Sequence, residues 1–178
     1  MAGSPRRSDS SSGRTGAAVA AIVAAGLVLV TGLTPLRLAA ADRPEAASPE
    51  LIRVIGHRQA ELRRLGAAMR VIGRFLKSEG ANVADVGASA EVIRAVAGVF
   101  NHEQFPEGTA IGAGRSAARL ELWQEWDIFR ERATALRNAA GRLVGAAATG
   151  NADAVRAPIL AVSQACGACH ELFRRTLP

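Results

Sequence analysis

Residues 152–174 read ADAVRAPILAVSQACGACHELFR. The apolar positions Val155, Ile159, Val162, Cys166, Cys169 and Phe173 are separated by alternating steps of four and three. That spacing keeps a stripe on one face of a helix, so a helix is expected from Ala152 to Arg174. Two members of the stripe are thiols, and His170 follows the second. In Cys-x-x-Cys-His each thiol can add across one vinyl group of a haem, and the imidazole is placed to bind the iron, which is the c-type haem attachment pattern. Because both cysteines lie on the buried stripe, a macrocycle attached there enters the core.

Other chemistries of two cysteines fit less well. A thioredoxin-like dithiol needs a strand before the motif and a βαβ pattern around it, and no alternating strand pattern is readable. A disulfide between residues three apart on a helix is strained. A structural zinc site needs four ligands, and the chain has two Cys and three His.

Upstream, the same periodicity recurs. Ser48-Pro49-Glu50 reads as a helix start, with Ser as N-cap and Pro in the first turn. The seam then runs Leu51, Ile55, Arg58, Leu62, Leu65, Met69, Ile72 and Leu76, in which Arg58 is the one polar member. A shorter helix is expected from Ser89 to Phe100 on Val92, Val96 and Val99. Asn101 to Gly114 reads as a loop. A long helix is expected from Ser116 to Ala148, with the seam Leu122, Trp126, Phe129, Ala133, Leu136, Ala140, Leu143 and Ala147, closed by Thr149-Gly150-Asn151. Four amphipathic helices with short connections predict an all-α, antiparallel up-down four-helix bundle.

Composition agrees with one compact domain and little else. The chain has 178 residues, 49% apolar and 21% charged, too apolar for a disordered chain. Aromatics are only 4%, with no Tyr, so the core must be filled by aliphatic residues or by something that is not an amino acid. The net charge is +6. Residues 1–41 contribute Arg6, Arg7, Arg14 and Arg37 against Asp9, leaving +3 on the remainder. The bases are interleaved with Glu and form no block with aromatics, which gives nucleic-acid binding no support. The N-terminus has a polar, Arg-containing stretch, an apolar run from Gly16 to Leu33, a break at Thr34-Pro35 and small residues at 39–41. That order is a secretory signal's. An uncleaved membrane anchor is the other reading of the same run. The expected organisation is a signal segment at 1–41, a linker at 42–49 and a haem domain at 50–178, in the periplasm or anchored facing it.

Several spaced motifs now coincide. They are Cys166-x-x-Cys169-His170-x-x-Phe173-Arg174 near the C-terminus, His57-Arg58-Gln59-Ala60-Glu61-Leu62 with Leu65-Gly66 and Met69 in the first helix, and Phe105-Pro106-x-Gly108-Thr109 followed by Leu122-Trp123 and Phe129. In this order, over about residues 48–175, the chain resembles cytochrome c′, the class II c-type cytochromes. The resemblance implies an up-down four-helix bundle, an architecture for which cytochrome c′ is itself a standard example.

The resemblance further implies one haem c per chain, joined to Cys166 and Cys169, with His170 as the axial iron ligand. Leu62 matches the first-helix position that covers the distal face of the iron, Arg58 an arginine that pairs with a haem propionate, and Arg174 a proximal-side arginine. Leu62 cannot coordinate, which implies a five-coordinate, high-spin iron that binds small gases such as NO and CO and takes part in one-electron transfer. In the low-spin relatives, such as cytochrome c-556, a first-helix Met is the sixth ligand. Met69 is the rival here, but it lies two turns from Leu62, about 10 Å along the axis. His57 and His102 are expected at the surface. A peroxidase-like enzyme would need a distal His or Arg to move protons, and with Arg58 assigned to the propionate the stripe offers none, so no catalytic activity is expected. The expected partners are small gases and an unidentified periplasmic redox protein, with homodimers through the first two helices as in related proteins. The seam selects Trp126 for the core, whereas the family pattern matches Trp123.

Overall fold

The computed structural model describes residues 47–175; the proposed signal segment and most of the proposed linker lie outside them. α1 runs Pro49–Leu76, and Ser48 caps it, its side chain accepting from the Leu51 N–H at 3.3 Å. Glu50 in the first turn and Arg74 in the last complement the helix dipole. The chain leaves α1 through Ser78 and Gly80, both at positive φ.

α2 spans Val83–Gly98, six residues earlier at its start than the apolar stripe predicts. The reason is a capping box. The Asn82 side chain accepts from the Asp85 N–H at 3.1 Å, and the Asp85 carboxylate accepts from the Asn82 N–H at 2.9 Å. The buried face is Val86, Ser89, Ala90, Ile93, Val96 and Ala97, while Val99 is 45% exposed. Half of that face is small residues, which let α2 approach α4 closely. A Cβ on Gly87 would come within 3.2 Å of the Ala147 Cβ.

The expected third helix from Ser116 is two elements. Residues 116–120 are loop, α3 is one turn (Glu121–Gln124), and α4 runs Trp126–Ala147. The break is at Glu125, whose ψ of 45 is not helical. α5 covers Arg156–Phe173, shorter at its start than the expected Ala152 because residues 152–155 form turns. Beyond α5 the chain turns extended at Arg174, which bridges to Ala118. The Arg119 N–H donates to the Phe173 carbonyl at 3.0 Å and the Arg175 N–H to that of Ala117 at 2.9 Å. This pairing, the only β-like contact among the described residues, ties the loop before α3 to the end of α5.

Helix α1 packs on α2, α2 on α4, and α4 on α5. α1 and α5 form no such extended interface, and the bundle opens between them. The main core joins Ile72, Val86, Ala90, Ile93, Ala140, Leu143, Val155, Ile159 and Val162, each at most 3% exposed. A second cluster gathers Phe105, Leu122, Phe129 and Phe173, with Phe100 and both tryptophans against it. Four of the five phenylalanines therefore sit at one end. Phe129 is their hub, edge-on to Phe105 at 4.8 Å and to Phe173 at 5.6 Å. No described helix is long and apolar enough to cross a membrane.

Candidate functional site

The opening between α1 and α5 is a cavity of about 840 Å³, within the range of sites that hold a small molecule or cofactor. Its apolar wall combines both clusters: Leu65 and Met69 from α1, Phe105 from the loop, Phe129 and Leu136 from α4, and Phe173 from α5. From α5 it receives Cys166, Cys169 and His170, from the residue after it Arg174, and from α1 Arg58 and Leu62. All six residues expected at the site therefore meet in one space, although α1 and α5 are about a hundred residues apart.

The α5 seam explains the thiols. Val162 and Phe173 on the same stripe are buried, whereas Cys166 and Cys169 between them are half-buried and face the cavity. Both are free thiols. Burial raises the Cys166 pKa, and pushes that of Cys169 up to about 11, with Cys166 adding to the rise and Arg132 opposing it. Thiols held protonated at neutral pH are poor candidates for a redox dithiol, which depends on a lowered pKa. His170 moves the other way: burial, and then the neighbouring Arg174 charge, lower its pKa. The neutral imidazole is the metal-binding form.

Leu62 is 38% exposed, although Arg58 one turn before it on the seam is buried. It projects into the cavity rather than against another helix. Met69 lines the same cavity and also packs on the main core. His57 and His102 do not line it. His57 is exposed, and the His102 ring stacks on Trp126 at 3.8 Å. Both tryptophans pack on the phenylalanine cluster, and Trp123 adds a hydrogen bond from its Nε1–H to the Phe105 carbonyl at 2.9 Å.

Arg58 is the exceptional side chain. It is 3% exposed and has no carboxylate beside it among the described residues. Its Nη1 donates to the Thr109 hydroxyl at 2.9 Å and the Gln104 carbonyl at 3.4 Å, its Nη2 to the Thr109 carbonyl at 3.1 Å and the Ser116 hydroxyl at 3.0 Å. The guanidinium also lies over the Phe105 ring, 4.8 Å from its centroid. Desolvation pulls its pKa down to about 10, which leaves it charged at neutral pH. A buried cation with only neutral partners is costly and calls for an anion. Thr109 and Ser116 lie 51 and 58 residues away; Thr109 stands in a motif of the resemblance, but nothing in the sequence tied either residue to Arg58.

The lining fits a haem. The wall is apolar and aromatic as a macrocycle requires, two thiols and a neutral imidazole face inward from one helix, and five arginines line the space with no Asp or Glu among them, as two propionates require. Arg63, Arg70 and Arg115, which complete the five, carry no sequence signal beyond being exposed arginines.

Comparison with known proteins agrees. A family profile described as cytochrome C′ matches residues 53–174. The chain is similar to cytochrome c′ of Allochromatium vinosum, 34% identical over 80% of this chain and 92% of that one. It is similar to cytochrome c-554 of Cereibacter sphaeroides, 28% identical over 71% and 83%. Among solved structures it superposes on the nitric oxide complex of a leucine-to-alanine mutant of cytochrome c prime from Alcaligenes xylosoxidans. That match has a TM-score of 0.61 and 25% identity, and covers 75% of this chain and all of the other.

Proposed function

The chain belongs to the cytochrome c′ family and is a c-type haem protein, and from that premise we propose that it is an exported, periplasmic gas-binding cytochrome with a five-coordinate, high-spin iron. When bound, the haem supplies an iron with one open position and a one-electron couple. Cys166 and Cys169 would hold it as thioethers, each S–H adding across one vinyl group. His170 would offer its neutral imidazole to the iron. Arg58 and Arg174 offer charge to the propionates and the proximal side.

The observation that carries this reading is Leu62, exposed into the cavity that His170 lines from another helix. Leu62 offers neither a ligand atom nor a hydrogen-bond donor. It therefore leaves a bound dioxygen unstabilised and favours small, weakly basic ligands such as NO and CO, for which its side chain must move aside. The nitric oxide complex of the Alcaligenes xylosoxidans relative supports that ligand class. His170 is the only histidine lining the cavity among the described residues, so no second imidazole is placed to shuttle protons, and a ligand-binding and electron-transfer role is preferred to catalysis.

Met69 is a specific reason to keep one rival. It lines the same cavity, and a sixth bond from its sulfur would make the protein a low-spin electron carrier. CO titration of the reduced protein separates the two. Full CO uptake with a shifted Soret band is expected, and a spectrum indifferent to CO would favour Met69 and contradict the role given to Leu62.

A further inference from the structure

The charge of this domain is not spread evenly. Residues 47–175 hold 17 Lys and Arg against 13 Asp and Glu. Five of those arginines line the cavity and no acid does, so the rest of the domain has 12 bases against 13 acids. The entire net positive charge is gathered at one opening. Ion pairing sharpens the contrast. Arg53, Arg64, Arg94, Arg119 and Arg156 each have an acidic partner. Among the described residues none of the five lining arginines has one.

Arg58 is turned inward, but Arg63, Arg70, Arg115 and Arg174 are exposed at the mouth. Arg63 and Arg70 are seven apart and share a face of α1. The Arg70 guanidinium folds back over Gly66, its Nη1 3.7 Å from where a Cβ would be. Gln59 donates to the Arg115 carbonyl at 2.6 Å, fixing that part of the loop beside α1. The two carboxylates of a haem can neutralise at most two of the five, so the mouth remains cationic in the loaded protein.

We propose that the mouth of the haem cavity is a docking surface for an acidic one-electron redox protein. The inference rests on the haem occupying the cavity. Charge complementarity selects the partner: carboxylates on its surface would meet the exposed arginines, whereas a second copy of this chain would oppose arginine to arginine. Once docked, one electron passes between the partner's metal centre and the haem iron; one is oxidised as the other is reduced, and no atom or proton is exchanged. Steering of this kind raises association rates by roughly 10- to 1,000-fold at low ionic strength.

The test compares two charge-reversed holoproteins of equal net charge. One carries R63E, R70E and R115E at the mouth; the other carries R130E, R137E and R142E on the exposed face of α4, none of which lines the cavity. The probe is a blue-copper protein with an acidic face. Stopped-flow electron exchange should slow by about tenfold or more for the mouth variant at low salt, and lose its salt dependence. The α4 variant should stay close to the parent. Equal slowing of both would mean that net charge alone matters, and would overturn the docking surface. An NMR titration reads binding separately, with shifts expected around residues 63–70, 115 and 174. Shifts elsewhere would overturn the proposal, as would absence of shifts together with arginine-dependent binding to phosphatidylglycerol vesicles. Shifts at the mouth without electron exchange would sustain the docking surface and contradict the electron-transfer part of the function.

Discussion

Arg58 and Leu62 are neighbours on α1 with opposite behaviour. The polar one is 3% exposed and the apolar one 38%. Arg58 is buried under the loop it bonds, and Leu62 lines the cavity. Arg58 holds the loop through Thr109, Ser116 and Gln104, so Arg58→Met would strip the donor from the Thr109 hydroxyl and the Gln104 carbonyl, while the Thr109 carbonyl keeps the Ser116 hydroxyl and Ser116 keeps the Ala118 N–H. A loss of roughly 2–4 kcal/mol in urea unfolding is expected, with faster hydrogen exchange over residues 104–118. Unchanged exchange there would show that the loop is held by something else. At Leu62 the expected change is kinetic. Moving a leucine out of apolar contact costs about 1.5–3 kcal/mol, so Leu62→Ala should speed CO association by roughly 10- to 100-fold, as read by flash photolysis. Equal rates in the parent and the variant would remove Leu62 from the ligand's path.

At the scale of elements, α1 and α5 were readable because their seams use large aliphatic residues in strict steps of four and three. α2 was readable as a helix, but its start and its full core face were not, since that face is Ser89, Ala90 and Ala97 as much as Val and Ile, and a stripe of small residues gives little contrast against an Ala-rich background. Its true start is the box of Asn82 and Asp85. Asn82→Ala should cost about 1 kcal/mol, measured by thermal unfolding, and a neutral result would mean that packing alone positions the start of α2. The break at Glu125 was hidden because Leu122, Trp126 and Phe129 keep helical spacing across it. The pairing of residues 117–119 with 173–175 is long-range and leaves no local pattern. The same division holds for the site. Cys166, Cys169 and His170 are consecutive enough to be recognised, and Arg58 and Leu62 are marked by their place in a seam and by resemblance. Arg63, Arg70 and Arg115 only become a group once α1, the loop and α5 are brought together.

For the whole molecule, the haem is part of the core. Aromatic residues are few, four of the five phenylalanines face the cavity or the cluster behind it, and α1 meets α5 across an opening of about 840 Å³. A chain left without haem, as in a Cys166→Ala, Cys169→Ala double variant produced without attachment, should keep its helical signal but lose near-ultraviolet dichroism and bind ANS. A drop of more than about 10 °C in Tm is expected; a cooperative transition at the parent temperature would show that the bundle closes without its cofactor. The central claim is that His170 is the sole strong axial ligand and that Leu62 leaves the opposite position open. The electron paramagnetic resonance spectrum of the ferric holoprotein at neutral pH tests it most directly. An axial high-spin signal is predicted, and a rhombic low-spin signal would contradict the claim and place a side chain such as Met69 on the iron.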